Sequence, residues 1–288
     1  GVYEVLLNES KRIKESSGLD ISIKKILVKD KAKKRSVAGV QALLTTNAEE
    51  VIEDPEIQIV VELTSGSPEA AYAYITGALE HGKHVVTAGK AALAKYWGKI
   101  FSTAHAHNKF VLFEGSVGGV IPIIRLLDYL SCNEIKEIIG IVNGKTNYIL
   151  TRMNEGMDYD QALRLAQEKG YAEVPPDLDV LGKDAAYKIA LLASKAFGAW
   201  VSPETVYTEG ITHITKTDFR FANDRGYAVK LLATAKLIDG GLDVRVHPAL
   251  TRDEVLAHTN EATNAIKVVG NYSGALTLVG QGAGKHPT

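Results

Sequence analysis

The first 120 residues alternate short apolar runs, rich in β-branched residues, with longer segments in which apolar residues recur at helical spacing. The predicted strands lie in "ISIKKILV", "IQIVVEL", "KHVVTA" and "KFVLFEG". The predicted helices are "PEAAYAYITGALEHG" and "KAALAKYWGKIFSTAHAHN", and each ends at a Gly or an Asn. This alternation predicts an α/β fold in which residues 1–120 form a Rossmann-like, doubly wound parallel sheet.

The pattern changes after "SVGGVIP". A strand is predicted in "EIKEIIGIVN", followed by two helical stretches between about Tyr148 and Gly170 and by a helix that begins near Gly182. Two further strands, "KLLATAKLI" and "LDVRVHPAL", are joined by the turn "DGG". We therefore predict a second, α+β domain over residues 121–280, with residues 281–288 returning to the first domain.

The two ends of the chain differ from those of a complete dinucleotide-binding protein. Such a sheet begins with a strand and a glycine-rich turn that holds the pyrophosphate. This chain opens with "GVYEVLLNESKRIKESSG", which is typical of the helix after that turn, and it stops on the glycine loop "VGQGAGKHPT". We expect a fragment that is cut at both ends.

Composition narrows the class of protein. The chain has 288 residues, 45% of them hydrophobic, and its 33 Lys and Arg nearly match its 34 Asp and Glu. This balance predicts neither a nucleic acid nor a membrane surface as a partner. The single cysteine excludes an internal disulfide, and no apolar run reaches the roughly 20 residues that span a bilayer. A cytoplasmic location is the expectation.

Charge concentrates in "YAEVPPDLDVLGKDAAYK", residues 171–188, which carries four carboxylates and two lysines. Asp184 and Lys188 are four positions apart, so they project from the same side of the predicted helix. Taken alone, this pattern is also typical of an acidic first turn with one surface ion pair. A functional interpretation therefore depends on the rest of the chain.

Five segments resemble homoserine dehydrogenases in their order and spacing, and the resemblance covers essentially the whole chain. They are "VVTAGKAALA", "EGSVGGVIPII", "VNGKTNYILTRM", "AQEKGYAE" and "LDVLGKDAAYKIALLA". The resemblance implies an NAD(P)-dependent oxidoreductase that interconverts L-homoserine and L-aspartate 4-semialdehyde in threonine and methionine biosynthesis. It also implies a homodimer that forms through the strands "KLLATAKLI" and "LDVRVHPAL".

Reduction of an aldehyde by hydride places negative charge on the carbonyl oxygen, so a nearby acid must supply a proton. The resemblance gives this proton relay to Lys188, places Lys90 beside nicotinamide and substrate, and assigns Asp184 to orient Lys188. Carboxylates in the same segment suit the substrate ammonium. The implied substrate contacts are Glu173, Asp179, Tyr171 and Gly144. Asp177 receives no role and is predicted to be a solvated turn residue.

The resemblance also implies two bound groups. One is the nicotinamide cofactor, contacted by Lys90, Thr64, Gly284 and the basic loop after the first predicted strand. In that loop Asp30 is compatible with NAD, whereas a cluster of basic residues favours the 2′-phosphate of NADP: Lys29, Lys33, Lys34 and Arg35. The other is a monovalent cation, usually sodium, bound by main-chain oxygens of Glu114, Val117, Gly119 and Ile121. The same glycines are equally typical of a simple crossover between domains.

Three positions depart from the family pattern: Gly89 replaces Asn, Lys145 replaces the first Thr of "NGTTNY", and Pro175 replaces Asp. A cation at position 145 either repels the substrate ammonium or helps to hold its carboxylate, so Lys145 is left out of the predicted contacts. Two other functions stay open. One is a dehydrogenase of another small amino-acid-derived carbonyl, such as a cyclic imine, and the other is a non-catalytic cofactor sensor.

Overall fold

The computed structural model describes residues 1–35, 37, 39–172, 175–239 and 241–282. Its internal contacts divide the chain into two compact units. Among the described residues, the first comprises Gly1–Thr87 and Gly98–Leu112, and the second comprises Ala88–Trp97 and residues 113–282. No helix among the described residues combines the length and the apolar character that crossing a bilayer requires.

The described residues of the first unit form short parallel strands and α-helices. The strands are β1 (Ile26–Leu27), β2 (Leu44–Thr45), β3 (Ile59–Glu62), β4 (His84–Thr87) and β5 (Val111–Leu112). The helices are α1 (Val2–Asn8), α2 (Ser10–Ser17), α3 (Glu49–Ile52) and α4 (Pro68–Glu80). Strand β1 pairs with β2, and the order of the other three is β3, β4, β5, all parallel. The predicted parallel arrangement is confirmed, with shorter strands than the apolar runs suggested.

Helix α4 shows why the local pattern was informative. The Ser67 hydroxyl accepts a hydrogen bond from the Ala70 amide, and proline occupies the first helical position. The helix packs on β3 and β4, and its inward residues Ile75 and Leu79 are completely buried. Capping and an apolar stripe therefore determine this helix together, and both are visible in the sequence.

Helix α5 (Lys90–Ala106) is interrupted at Tyr96, whose φ of −118° and ψ of 21° are not helical. The division between the two units falls directly after this interruption, between Trp97 and Gly98. Lys90, the first residue of the helix, therefore belongs to the second unit.

The second unit contains a mixed six-stranded sheet of order β11, β10, β6, β8, β9, β7. The strands are β6 (Ile135–Ile141), β7 (Tyr207–Thr208), β8 (Ala228–Ile238), β9 (Gly241–Thr251), β10 (Thr263–Gly270) and β11 (Gly274–Gln281). The helices are α6 (Ile123–Tyr129), α7 (Gly144–Asn154), α8 (Tyr159–Glu168), α9 (Asp177–Val180), α10 (Lys183–Phe197), α11 (Lys216–Asn223) and α12 (Glu254–His258). The predicted hairpin is confirmed, because β8 and β9 pair antiparallel along their whole length.

Helices α7 and α10 pack against this sheet and carry the functional segments. In α10 the apolar residues Ile189, Leu192 and Ala193 are completely buried, and Ala196 on the same side is partly buried. The helix is preceded by Gly182 at φ +79°, where a side chain would lie close to Thr208 and to the carbonyl of Glu209. This left-handed glycine turns the chain from α9 into α10 and brings the acidic residues of both helices to one place.

Candidate active site

Two buried carboxylates form the centre of the site. Asp179, on α9, is 6% exposed, and Asp184, in the first turn of α10, is 9% exposed. Asp177, in the same segment, is exposed as predicted, but it is the first residue of helix α9 and does not lie in a turn. A buried carboxylate needs hydrogen-bond donors or cations around it, because burial alone disfavours its charged form.

Asp184 binds two lysines at once. Its Oδ1 lies 2.8 Å from the Nζ of Lys90, and its Oδ2 lies 2.8 Å from the Nζ of Lys188. The Lys188 ammonium also donates to the main-chain oxygen of Val142 at 2.8 Å. The structure therefore brings together the three residues that were predicted to serve the chemistry, with the carboxylate between the two ammonium groups.

Opposing effects act on the pKa of Asp184. Burial is the largest single effect and would raise the pKa of this carboxyl. The ammonium groups of Lys188 and Lys90 together have a larger, opposite effect and hold the pKa well below its usual range. Asp184 is consequently ionised at neutral pH, and it keeps both lysine side chains in defined positions.

Asn143 joins the two carboxylates, and sequence reasoning did not single it out. Its Nδ2 donates to Asp179 Oδ1 at 2.7 Å and to Asp184 Oδ2 at 2.9 Å. Its Oδ1 accepts from the Thr146 amide at 2.9 Å and so caps helix α7. In the sequence, Asn143 stands directly before a predicted helix. That position predicts a helix cap but does not predict contacts with carboxylates far away in the chain.

Lys145 completes the group. Its Nζ lies 2.8 Å from Asp179 Oδ2, so the residue that departs from the family pattern is part of the site. The adjacent Gly144 has a packing role, because a Cβ there would lie 2.4 Å from the carbonyl oxygen of Ala262. We refer to the six side chains of this group as the lysine–carboxylate cluster: Lys90, Asn143, Lys145, Asp179, Asp184 and Lys188.

The remaining predicted substrate contacts lie apart from these hydrogen bonds or outside the described residues. The ring of Tyr171 packs on the ring of Tyr148, with 4.9 Å between centroids, and Tyr171 is 41% exposed. Glu173 and the predicted cofactor residue Gly284 lie outside the described residues. The substrate roles of Tyr171, Glu173 and Asp179 stay predictions.

Comparison with known proteins identifies the family. The sequence pattern described as homoserine dehydrogenase matches residues 122–288, and the pattern described as its NAD-binding domain matches residues 1–114. The chain belongs to the homoserine dehydrogenase family. The predicted mixed α/β fold with a Rossmann-like NAD-binding domain is confirmed.

Relatives along the whole chain agree with this assignment. A homoserine dehydrogenase of Synechocystis sp. is 45% identical over 93% of this chain and 63% of its own length, and one of Bacillus subtilis is 39% identical over 100% and 67%. The solved homoserine dehydrogenase of Thiobacillus denitrificans superposes with a TM-score of 0.91 at 39% identity, covering 99% of this chain and 66% of that one. The chain thus spans about two thirds of the length of the relatives that it matches.

The loop that the family resemblance assigns to a cation lies between β5 and α6. Gly118 and Gly119 follow each other with φ of +80° and +60°, which curls the main chain. The Ile121 amide donates to the Gly118 oxygen at 3.1 Å, and the Glu114 carboxylate accepts from the amides of Ile124 and Arg125 at the start of α6. Among the described residues there is no group of three or more His, Cys, Asp or Glu side chains that could hold a metal ion. Main-chain oxygens, which this curled loop carries, are donors of the type that suits a hard cation.

Replacing Gly119 by alanine is expected to destabilise the second unit. The alanine would have an unfavourable positive φ, and its Cβ would lie 2.7 Å from the Gln281 oxygen. The matched control is Gly198→Ala, at φ +66° with nothing within 4 Å of its Cβ. We expect Gly119→Ala to lower the free energy of unfolding by about 1–3 kcal/mol more than the control, measured by chemical denaturation. Equal losses would show that the approach to Gln281 is unimportant.

In the first unit, the cofactor residues that the family resemblance implies lie in the loops directly after strands. The Thr64 amide and hydroxyl donate to the buried carboxylate of Glu62, at 2.7 and 2.5 Å, directly after β3. Lys29 lies after β1 and is exposed, and the Arg35 guanidinium donates to the carbonyls of Lys33 and Asp30 at 2.8 and 3.0 Å. The Arg35 guanidinium therefore stabilises the conformation of the loop itself.

Proposed function

We propose that the protein that carries this chain catalyses the reversible, NAD(P)-dependent interconversion of L-homoserine and L-aspartate 4-semialdehyde. The observation that carries the proposal is the pairing of Lys90 and Lys188 with one buried carboxylate, Asp184, in a chain of the homoserine dehydrogenase family. We assign cofactor binding to the first unit and substrate binding to the second.

The cluster provides what the reaction requires from side chains. The nicotinamide, when bound, supplies or accepts the hydride. Lys188 holds its ammonium against Asp184 Oδ2 and the Val142 oxygen, and its third N–H can donate a proton to the substrate oxygen. Lys90 adds a second positive charge that favours the developing alkoxide. In the direction of homoserine oxidation the neutral Lys188 amine accepts the hydroxyl proton and becomes the ammonium, and Asp184 positions both lysines.

We propose that the protein prefers NADP to NAD as its cofactor. Lys29, Lys33 and Lys34 are exposed in the loop that follows β1, where positive charge suits a 2′-phosphate. A solved structure of a hyperthermophilic archaeal homoserine dehydrogenase mutant, with a TM-score of 0.73 and 29% identity to this chain, is in complex with NADPH. Thr64 and Gly284 are kept as proposed cofactor contacts.

A steady-state assay tests the function. We expect oxidation of L-homoserine with either nicotinamide cofactor and a higher kcat/KM for NADP than for NAD. A cyclic imine reduced in preference to the semialdehyde would favour another dehydrogenase activity. NADPH binding without turnover of any substrate would favour a cofactor-sensing protein.

Sodium is the proposed ligand of the curled loop, held by main-chain oxygens of Glu114, Val117, Gly119 and Ile121. Two consecutive left-handed glycines and the oxygen-only donor set support this assignment. The test is ²³Na NMR. The unsubstituted protein should broaden the ²³Na resonance, and Gly119→Ala should broaden it less.

A homodimer is expected, with the cytoplasm as its compartment. The sheet of the second unit exposes apolar side chains on β8, β9 and β11: Leu237, Ile238, Leu250, Leu276 and Val279. Apolar side chains exposed on a sheet are consistent with an interface between two copies of the chain. Light scattering should give twice the mass of one chain, and a fully active monomer at micromolar concentration would contradict this expectation.

A further inference from the structure

The lysine–carboxylate cluster presents its cations to solvent and hides its anions. The side chain of Lys145 is 25% exposed, whereas that of its partner Asp179 is 8% exposed. Lys90 is likewise 41% exposed, against 11% for Asp184. Among the described residues of the cluster, the accessible surface is therefore the one that attracts an anion.

Asp179 is already engaged by the protein. Its Oδ1 accepts from Asn143, and its Oδ2 accepts from Lys145. A substrate ammonium that used Asp179 would have to compete with the Lys145 ammonium, which is part of the same chain and needs no association step. The ammonium-binding role expected of Asp179 is therefore disfavoured by the residue that stands at position 145.

The position of Lys145 also calls for an explanation. It lies in the first turn of α7, where the helix dipole disfavours a positive charge. The buried Asp179 carboxylate stabilises it there, and Asn143 fixes that carboxylate from the other side. A partly exposed ammonium that a buried carboxylate holds in place is well suited to bind an incoming carboxylate.

We propose that Lys145 is a specificity-determining residue that binds the α-carboxylate of the amino-acid substrate, with Asp179 and Asn143 as its positioning residues. The inference rests on the proposed function, because it places the substrate of that reaction. Of the two effects expected of a cation at position 145, repulsion of the substrate ammonium and binding of the substrate carboxylate, the inference selects binding of the carboxylate.

The test separates the two charged groups of the substrate. KM is measured for L-homoserine, together with inhibition constants for 4-hydroxybutyrate, which lacks the ammonium, and 3-amino-1-propanol, which lacks the carboxylate. Lys145→Met should raise the KM for homoserine and the inhibition constant for 4-hydroxybutyrate by at least about tenfold. The constant for 3-amino-1-propanol should stay the same or fall, and Lys145→Arg should recover most of the loss.

The matched control is Lys136→Met, which removes an exposed lysine of β6 outside the cluster and should leave all three constants unchanged. An equal rise of all three constants in Lys145→Met, a fall in the KM for homoserine, or a change confined to the KM for the cofactor would each overturn the inference. If Lys145→Met folds poorly because the Asp179 carboxylate loses its cation, the double variant Lys145→Met/Asp179→Asn removes both charges and the same comparison applies.

A calorimetric titration keeps this inference distinct from the proposed function. If the unsubstituted protein does not oxidise homoserine, the proposed function fails, but binding of 4-hydroxybutyrate can still be measured. Binding to the unsubstituted protein that weakens in Lys145→Met supports the anion site. Absence of binding to the unsubstituted protein overturns it.

Discussion

Replacing Lys188 by alanine is expected to lower kcat for homoserine oxidation by at least about 100-fold, the usual scale of general acid–base catalysis. The side chain is 13% exposed and is held between Asp184 Oδ2 and the Val142 oxygen, so a water molecule would be a poorly positioned substitute. The affinity for the cofactor should change little. The measurement is steady-state kinetics, combined with NADPH titration of the same variant.

The control for this variant is Lys195→Ala, on the same helix. Lys195 pairs with Asp128, whose side chain is 57% exposed, and neither residue belongs to the lysine–carboxylate cluster. This control should keep the kcat of the unsubstituted protein. Near-normal turnover in Lys188→Ala would remove Lys188 from the mechanism.

Replacing Asp184 by asparagine should have the largest effect on stability. The change preserves the shape of the side chain but leaves Lys90 and Lys188 without the carboxylate that they share. Breaking a buried ion pair from one side typically costs about 3–5 kcal/mol, because a buried charge is left uncompensated. We expect a loss of this size in chemical denaturation, together with a lower kcat, because the proton donor loses its orientation.

The matched control is Asp128→Asn, which breaks the exposed pair with Lys195 and should cost less than about 1 kcal/mol. The pH dependence provides a second check. The folded-state pKa of Asp184 lies below its unfolded value, so its stabilisation is present above the ordinary carboxyl range and is lost as the pH falls through the folded-state pKa. Asp184→Asn should therefore lose less stability on acidification than the unsubstituted protein. Equal losses for the Asp184 and Asp128 variants would show that the cluster does not stabilise the fold.

Much of the fold could be predicted from local patterns. Helix α4 and the hairpin of β8 and β9 both carry their own start, stop and turn signals, and the structure confirms both. Strands β10 and β11 were missed, although they also form a hairpin. Their segments, "TNAIKVVG" and "GALTLVGQ", contain glycine and alternate weakly, so only the pairing of β10 with β6 and of β11 with β10 distinguishes them as strands.

The sequence by itself determined the contact between Asp184 and Lys188, because residues four apart on one helix must share a face. It also indicated the family, through the order and spacing of its motifs. Only the tertiary structure decided which other groups meet there. Lys90 starts a helix of another segment, and Asn143 and Lys145 reach the carboxylates across 41 and 34 positions of chain. Such contacts depend on how α7 and α10 pack on the sheet, and no local spacing encodes that packing.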